Sequence, residues 1–521
     1  MSRKAAVTFV LLFSLTGVYA GVYSGGVGSA ENPFQIATPE DLNEIGDDPC
    51  DWDKHFILTV DINMADYTYS TALVAPDIND SNFGFQGTSF TGVFEGNDHK
   101  IIKLTINTEE ASNDYLGLFG RIDGGTIKNL GIEDCNNITG RLNSHYLGGL
   151  CGENNGTISN CYSTGFVSGD YYVGGLSGVN GGTIEHCYST GSFSSDGFLG
   201  GLCGQNYYGT IINCYGESTL TGTQYLGGLC GSNFEGIISN CYAEGTIIGG
   251  VSSDHLGGLC GSNSHGGTIE HCAAKCSITG GDGSYYIGGL CGGNHESTVN
   301  NCHTISSVNG GDDSYWLGGL AGTNFGVVSN SYSGGEIIGY EDIGGLIGFN
   351  AIGRGGAPQG SVYNCYSTSM VTGTVNVGAI TGSHSSGEYT SCFWDEDLNP
   401  DVNGVGTGSE PNVIGLPTAE MMKEDTFTDA GWDFVGETVN GPNDIWTIKE
   451  DVNYPQHVWP LVQYVDWDGV DFLDYGFFAD YYGLTDCNDI NDCNSSDLDF
   501  SGAVDINDVN IFTTYWLFGK K

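Results

Sequence analysis

The twelve residues "DLDFSGAVDIND" at 497–508 carry the most legible chemistry in the chain. Asp497, Asp499, Ser501, Asp505 and Asp508 put side-chain oxygens at the first, third, fifth, ninth and twelfth places of a loop. Gly502 stands where such a loop turns sharply, Ala503 offers its backbone carbonyl, and Val504 is the apolar residue that tacks the loop down. Hard divalent cations take oxygen ligands at this spacing, so the expected cofactor is calcium. A solvated acidic turn is the plainer alternative. An earlier stretch, "DWDGVDFLD" at 466–474, offers Asp466, Asp468, Asp471 and Asp474 in a loop one residue short, a weaker second site or none. Cys487 and Cys493 lie between the two loops and are the pair expected to form a disulfide.

Each loop needs a following helix to hold it. "VDFLDYGFFADYYG" (470–483) aligns with "VDINDVNIFTTYWL" (504–517), giving two loop-helix units. Residues 464–519 thereby resemble a dockerin module. The resemblance implies a small α-helical calcium-binding domain that docks onto a cohesin-like protein in polysaccharide-degrading assemblies. Ser501, where an acid is usual, and the short first loop depart from that pattern.

Most of the chain is a repeat. "YLGGLCG" occurs at 146–152 and 225–231, with relatives at 172–178, 198–204, 255–261, 286–292 and 316–322. A second phrase follows, as in "GTISNCYSTG" (156–165) and "GTIEHCYSTG" (182–191), and then a looser apolar stretch. Three short apolar pieces per unit, with no helical period, predict three strands per turn of a stacked solenoid. The expected fold is all-β, a parallel β-helix over about 90–395, each turn adding about 4.8 Å. Asn154, Asn180, Asn206, Asn233, Asn263, Asn294, Asn324 and Asn350 form one file. Asn129, Asn160, Asn213, Asn240, Asn301, Asn330 and Asn364 form another, with His186 and His271 in the same place. Both read as structural corner ladders.

These motifs resemble the GLUG repeat, found in secreted, adhesin-like bacterial proteins. The resemblance implies export and surface binding, and no reaction.

Thirteen of the 18 cysteines fall into two repeat positions. One holds Cys151, Cys203, Cys230, Cys260 and Cys291, with Ser177 or Ala321 elsewhere. The other holds Cys161, Cys187, Cys214, Cys241, Cys272, Cys302, Cys365 and Cys392, with Ser331 in one turn. Small substitutes point to free, packed thiols over stacked disulfides. Leu150 and Cys151 are adjacent and both apolar, so the direction of the first file is open.

Arg3, Lys4, the run "AAVTFVLLFSLTGV" and "VYA" at 18–20 predict a secretory signal peptide cleaved after Ala20. The expected location is extracellular or cell-surface. The 63 acids against 14 Lys and Arg, a net charge of −49, exclude nucleic acid and anionic lipid as partners and suit cations or neutral polysaccharide. No later apolar run is long enough to insert in a membrane.

The expected organisation is a leader (1–20), an N-terminal cap and first turns (21–100), the repeat β-helix (101–395), a C-terminal cap (396–462) and the calcium module (463–521). Thr38 is the expected N-cap of a helix with Pro39 at its first position, and 90–107 the first turn of the stack. Segments 418–435 and 445–462 should close the far end, with their tryptophans packed.

Two functions remain. The favoured one is an exported, non-catalytic, adhesin-like binder, with glycan as a possible ligand, anchored through the calcium module. The alternative is a dockerin-borne polysaccharide lyase or glycoside hydrolase. Asp170, Asp196, Asp254, Asp282, Asp312, Asp313 and Asp342 recur in the corner before each GG strand, a stripe in place of a single site. Between 142 and 392 the only basic residues besides histidine are Lys275 and Arg354, in different turns. No catalytic residues are therefore assigned. Tyr162, Tyr188, Tyr215, Tyr242, Tyr332 and Tyr366 form a file expected at the surface, either as a sugar platform or, more simply, as a stabilising stack.

Overall fold

The computed structural model describes residues 23–79, 84–108, 113–140, 143–352, 360–408, 410, 412–436, 439–441 and 443–458. The leader, both calcium loops, Cys487 and Cys493 lie outside the described residues.

One sheet winds into a right-through stack of about ten turns, and its strand pairs are parallel. Register is fixed by like residues: Asn154 pairs with Asn180, Asn206 with Asn233, and Asn263 with Asn294. A turn contains four strand segments where three were expected. Tyr162–Ser168, Tyr171–Gly174, Ser177–Asn180 and Thr183–Glu185 make one such turn. The extra corner falls inside the GGL phrase, between the leucine and the next residue. That bend needs glycine: a Cβ on Gly175 would lie 2.0 Å from Ser189 Oγ and 2.3 Å from the Gly201 carbonyl.

The bend also settles which way the first cysteine file points. Leu150 and Cys151 flank a corner, so both enter the core, and both are fully buried. Leu176, Leu202, Leu229, Leu259 and Leu290 stack below Leu150, while Ile158, Ile184, Ile211, Ile238 and Ile269 stack on another wall. Each such side chain contributes roughly 1.5–3 kcal/mol by leaving water. No single turn could enclose these residues, so the stack is the unit that folds.

The stack starts earlier than the repeat suggests. Phe34–Ile36 pairs in parallel with His55–Leu58, which pairs with Val93–Glu95. Phe34, Phe56, Phe90 and Phe94 fill this end. The helix Pro39–Asp47 has Thr38 as its N-cap, as expected. Asp41 N donates to Thr38 Oγ1 at 3.1 Å, and Thr38 N donates back to Asp41 Oδ2 at 3.1 Å, a reciprocal capping box.

At the other end Thr418–Met421 and Glu424–Thr428 are short helices, and Trp446–Thr447 pairs antiparallel with Gln456–His457. This segment does more than close the last turn. It lies along the flank of the stack: His457 Nε2 sits 2.7 Å from the Asn330 carbonyl, and Tyr366 OH donates to the Pro455 carbonyl at 2.6 Å. Trp432 and Trp446 are fully buried against Tyr366, Phe427 and Phe434, so these tryptophans serve packing.

Candidate ligand-binding face

The side of the stack that carries the first GG glycine also carries an unbroken ladder of rings. Tyr115, Tyr146, Tyr172, Phe198, Tyr225, His255, Tyr286 and Trp316 stand two residues before that glycine in successive turns. Their consecutive centroids are 4.4, 5.0, 5.0, 4.5, 4.5, 4.5 and 4.8 Å apart. All but Phe198 have φ between 51° and 65°, a left-handed backbone that aromatic residues rarely adopt. Ring stacking of about 0.5–1.5 kcal/mol per pair offsets that strain. The signal for this ladder stands in the motif itself, as the aromatic at the start of YLGG, FLGG and WLGG.

That second file is also stacked. Tyr162–Tyr188 and Tyr332–Tyr366 lie 4.8 Å apart with planes within 8°, and Tyr215–Tyr242 5.5 Å apart. The tyrosines were expected at the surface. Tyr162, Tyr188, Tyr215 and Tyr242 are half-buried instead, and Tyr366 is buried under the C-terminal segment. In both ladders the ring faces are spent on each other. Sugar rings stack on faces, so the exposed edges are poor platforms, and the stabilising role is the one the geometry supports.

The phenols of the second file meet carboxylates. Tyr215 OH donates to Glu217 at 3.2 Å and Tyr242 OH to Glu244 at 2.9 Å, while Lys275 Nζ lies 3.3 Å from Glu244. Glu217 and Glu244 are register partners on adjacent turns. This grouping of acid, phenol and amine lies on an open face with Lys275 largely exposed.

The corner acids mostly tie one turn to the next. Asp170 Oδ2 accepts from Asn143 N at 2.9 Å, Asp282 Oδ1 from Asp312 N at 3.1 Å, and Asp342 Oδ1 from the Asn376 amide at 2.8 Å. Asp254 Oδ2 accepts from Tyr285 OH at 3.2 Å, and burial followed by the Asp254 charge pushes that phenol up to about 12. The stripe seen in the sequence is thus largely a set of corner caps. Asp196, Asp282, Asp312 and Asp313 are exposed.

Histidines cluster on the ladder side. His255 and His295 meet edge to face at 5.5 Å, and His295 Nε2 lies 3.0 Å from Thr323 Oγ1. Burial, then the His255 and His265 charges, pull the His295 pKa down to about 3. Burial alone pulls His303, in the tyrosine file, down to about 4. Both are neutral imidazoles at pH 7. His186 and His271 have φ of 52° and occupy the corner as expected.

All sixteen described cysteines are free. Each file thiol has a task. Cys203, Cys230 and Cys260 donate to the carbonyl two residues on at 3.2–3.3 Å, and Cys161, Cys187 and Cys214 to the carbonyl two residues back at 3.2 Å. Ser177 and Ser331 make the same bonds at 2.9 and 2.6 Å. Serine keeps the same bond, which is why it can replace cysteine there, while Ala321 and Ile347 fill the first position by packing alone. Burial raises the Cys151 thiol to about 12, so it is held as the thiol.

Among the described residues no group of three His, Cys, Asp or Glu is arranged to hold a metal ion. Asp497, Asp499, Ser501, Ala503, Asp505 and Asp508, and the weaker set Asp466, Asp468, Asp471 and Asp474, fall outside those residues. No helix among the described residues is long and apolar enough to cross a membrane.

The model of the GLUG motif matches residues 143–168, 169–194 and 222–248. Halomucin of Haloquadratum walsbyi is 31% identical over 166 residues, covering 30% of this chain and 2% of halomucin. A Gly-rich protein of Evansella cellulosilytica, provisionally named as a membrane protein, is 31% identical over 177 residues, 31% of this chain and 19% of that protein. The chain thus spans less than a fifth of either relative. A solved Bacteroides ovatus chain, provisionally assigned as an immunoglobulin A1 protease, aligns over 49% of this chain and 80% of its own length at 21% identity, with a TM-score of 0.39.

Proposed function

We propose that this GLUG-repeat β-solenoid is a non-catalytic, adhesin-like binding protein of the cell surface or its surroundings, with neutral glycan as its ligand class. The observation that carries this reading is the rung-by-rung recurrence of the same side chains over about ten turns. Such a surface repeats one set of contacts along its length and suits an extended ligand. A reaction instead needs one singular constellation. The net charge of −49 disfavours anionic polymers and leaves neutral sugars. The relatives' names, halomucin and a Gly-rich membrane protein, agree with a surface role.

In the same reading the C-terminal residues 463–521 fold around calcium at Asp497, Asp499, Ser501, Ala503, Asp505 and Asp508, and dock the rod onto a cohesin-like partner. The spacing of those oxygens supports this. A glycan array probed with the full chain in calcium tests the ligand class. Binding confined to neutral glycans supports it. Binding confined to anionic glycans, or to none, removes it.

A further inference from the structure

The corner that precedes each GG strand changes length along the stack, and eight residues separate Ile138 from Leu147. Five residues separate Val167 from Val173, Phe193 from Leu199, and Leu220 from Leu226. Eight separate Ile247 from Leu256, Ile278 from Ile287, and Val308 from Leu317. Five separate Ile337 from Ile343 again. Three consecutive turns therefore carry an enlarged corner, and these corners are tied into a ridge. Ser252 N donates to the Asp282 carbonyl at 2.8 Å, Gly283 N to the Asp312 carbonyl at 2.7 Å, and Ser253 Oγ meets Ser284 Oγ at 2.9 Å.

Where the short corners meet the ridge there is a step, and the register shifts there between Gly222 and Gln224. At the step lies a groove of about 430 Å³. Ser168, Ser194, Thr221 and Ile248 are register partners on four successive turns and line it in a row. Asp196 and Thr223 stand beside that row. Glycines 169, 222, 249 and 250 leave bare backbone on its floor. Ile248 is 42% exposed, and Val251 crowns the ridge beside it at 73%.

We infer that this groove is the binding site for a neutral glycan chain laid parallel to the solenoid axis; the inference rests on the glycan reading proposed above and assigns it a place. One rung, about 4.8 Å, is close to the length of one pyranose unit, so successive sugars meet the hydroxyls of Ser168, Ser194 and Thr221, of which Ser194 Oγ also donates to Ser168 Oγ at 2.8 Å. The hydroxyls both donate and accept, as sugar hydroxyls do. The Asp196 carboxylate accepts from adjacent sugar hydroxyls, the stronger charge-assisted bond, and repels uronates and sulfated sugars. Ile248 and Val251 offer apolar surface to the C–H side of a ring. The backbone here is already paired turn to turn, so the groove has no open strand edge for a peptide to join.

The test uses the full chain in calcium and calorimetric titration with a panel of neutral oligosaccharides, from monosaccharide to hexasaccharide, with oligogalacturonate as the anionic probe. Asp196→Asn and Thr221→Val alter exposed side chains and should leave the melting temperature unchanged. The expected result is affinity that rises with chain length up to the span of the four rungs and falls about tenfold or more in each groove variant. Tyr188→Phe, outside the groove, should bind as wild type. Neutral glycan bound equally by wild type and both groove variants overturns the groove and leaves the glycan reading standing. No neutral glycan bound by wild type overturns both.

Discussion

Asn206 Nδ2 donates to Asn233 Oδ1 at 2.8 Å, deep in the stack, where both side chains are fully buried. The same bond recurs from Asn154 to Asn350, each amide donating to the next at 2.8–3.0 Å. Asn180, Asn206, Asn233, Asn263 and Asn294 also reach a corner carbonyl, as Asn206 does to Gly209 at 2.9 Å. Polar groups buried this deeply are stable only when paired, and the ladder pairs them along its whole length.

Replacing a rung should therefore hurt. Asn206→Leu removes the acceptor that Asn180 uses and the donor that Asn233 and Gly209 use. The expected loss is about 2–4 kcal/mol. Asn160→Gly, in the corner file with φ of 51°, should lose under about 1 kcal/mol, because glycine takes that backbone freely. Denaturant unfolding of both variants checks this. Equal small losses would mean that the buried ladder is incidental.

The buried histidines make stability fall with acid. His303 has a folded pKa of about 4 against an ordinary 6.5, so the unfolded chain binds the extra proton first. Its contribution is complete above pH 6.5 and is lost as pH falls from there towards 4. At pH 5 the loss from this one group is about 2 kcal/mol. His303→Tyr, which installs the residue that Tyr332 and Tyr366 use in the same file, should flatten the melting temperature between pH 6.5 and 5. An unchanged slope would contradict the assignment.

Thiol counting in denaturant without reductant should return most of the sixteen described cysteines as free. Cys203→Ser should keep the bond to the Gln205 carbonyl and lose under about 1 kcal/mol, while Cys203→Val, bulkier and without a donor, should lose about 1–3. A count of four or fewer thiols would show that the files are bridged.

The calcium proposal predicts a separable transition. Calorimetry of the full chain should show one melting step that moves up with calcium and down with chelator, and one that does neither. Asp508→Ala should remove the calcium response, and Asp471→Ala should leave most of it. Identical traces in calcium and chelator would leave only an acidic turn at 497–508.

Much of the stack could be read from the sequence because register is written there in like residues. Asparagine meets asparagine and leucine meets leucine, so the period alone gives the pairing. What the period does not give is the path within a turn. The bend between Leu150 and Cys151 needs two glycines and a close approach of neighbouring turns, which a strand pattern hides, and so three strands were expected where four stand.

The face was harder to read. Exposed rings look like sugar platforms in a sequence, since stacking partners one turn away are invisible in any single repeat. The step at Leu226 was present only as a difference in spacing, eight residues after Ile247 against five after Leu220, with no motif to mark it. Its hydroxyls are ordinary serines and threonines, and only their register makes them a row.

The central claim is that this surface binds and does not react. Incubating the full chain in calcium with neutral polysaccharides, then measuring both retained protein and polymer length, tests it most directly. The account predicts that protein is retained on at least one polymer whose length stays unchanged. Shortened chains or new unsaturated ends would contradict it and make the solenoid a polysaccharide-cleaving enzyme.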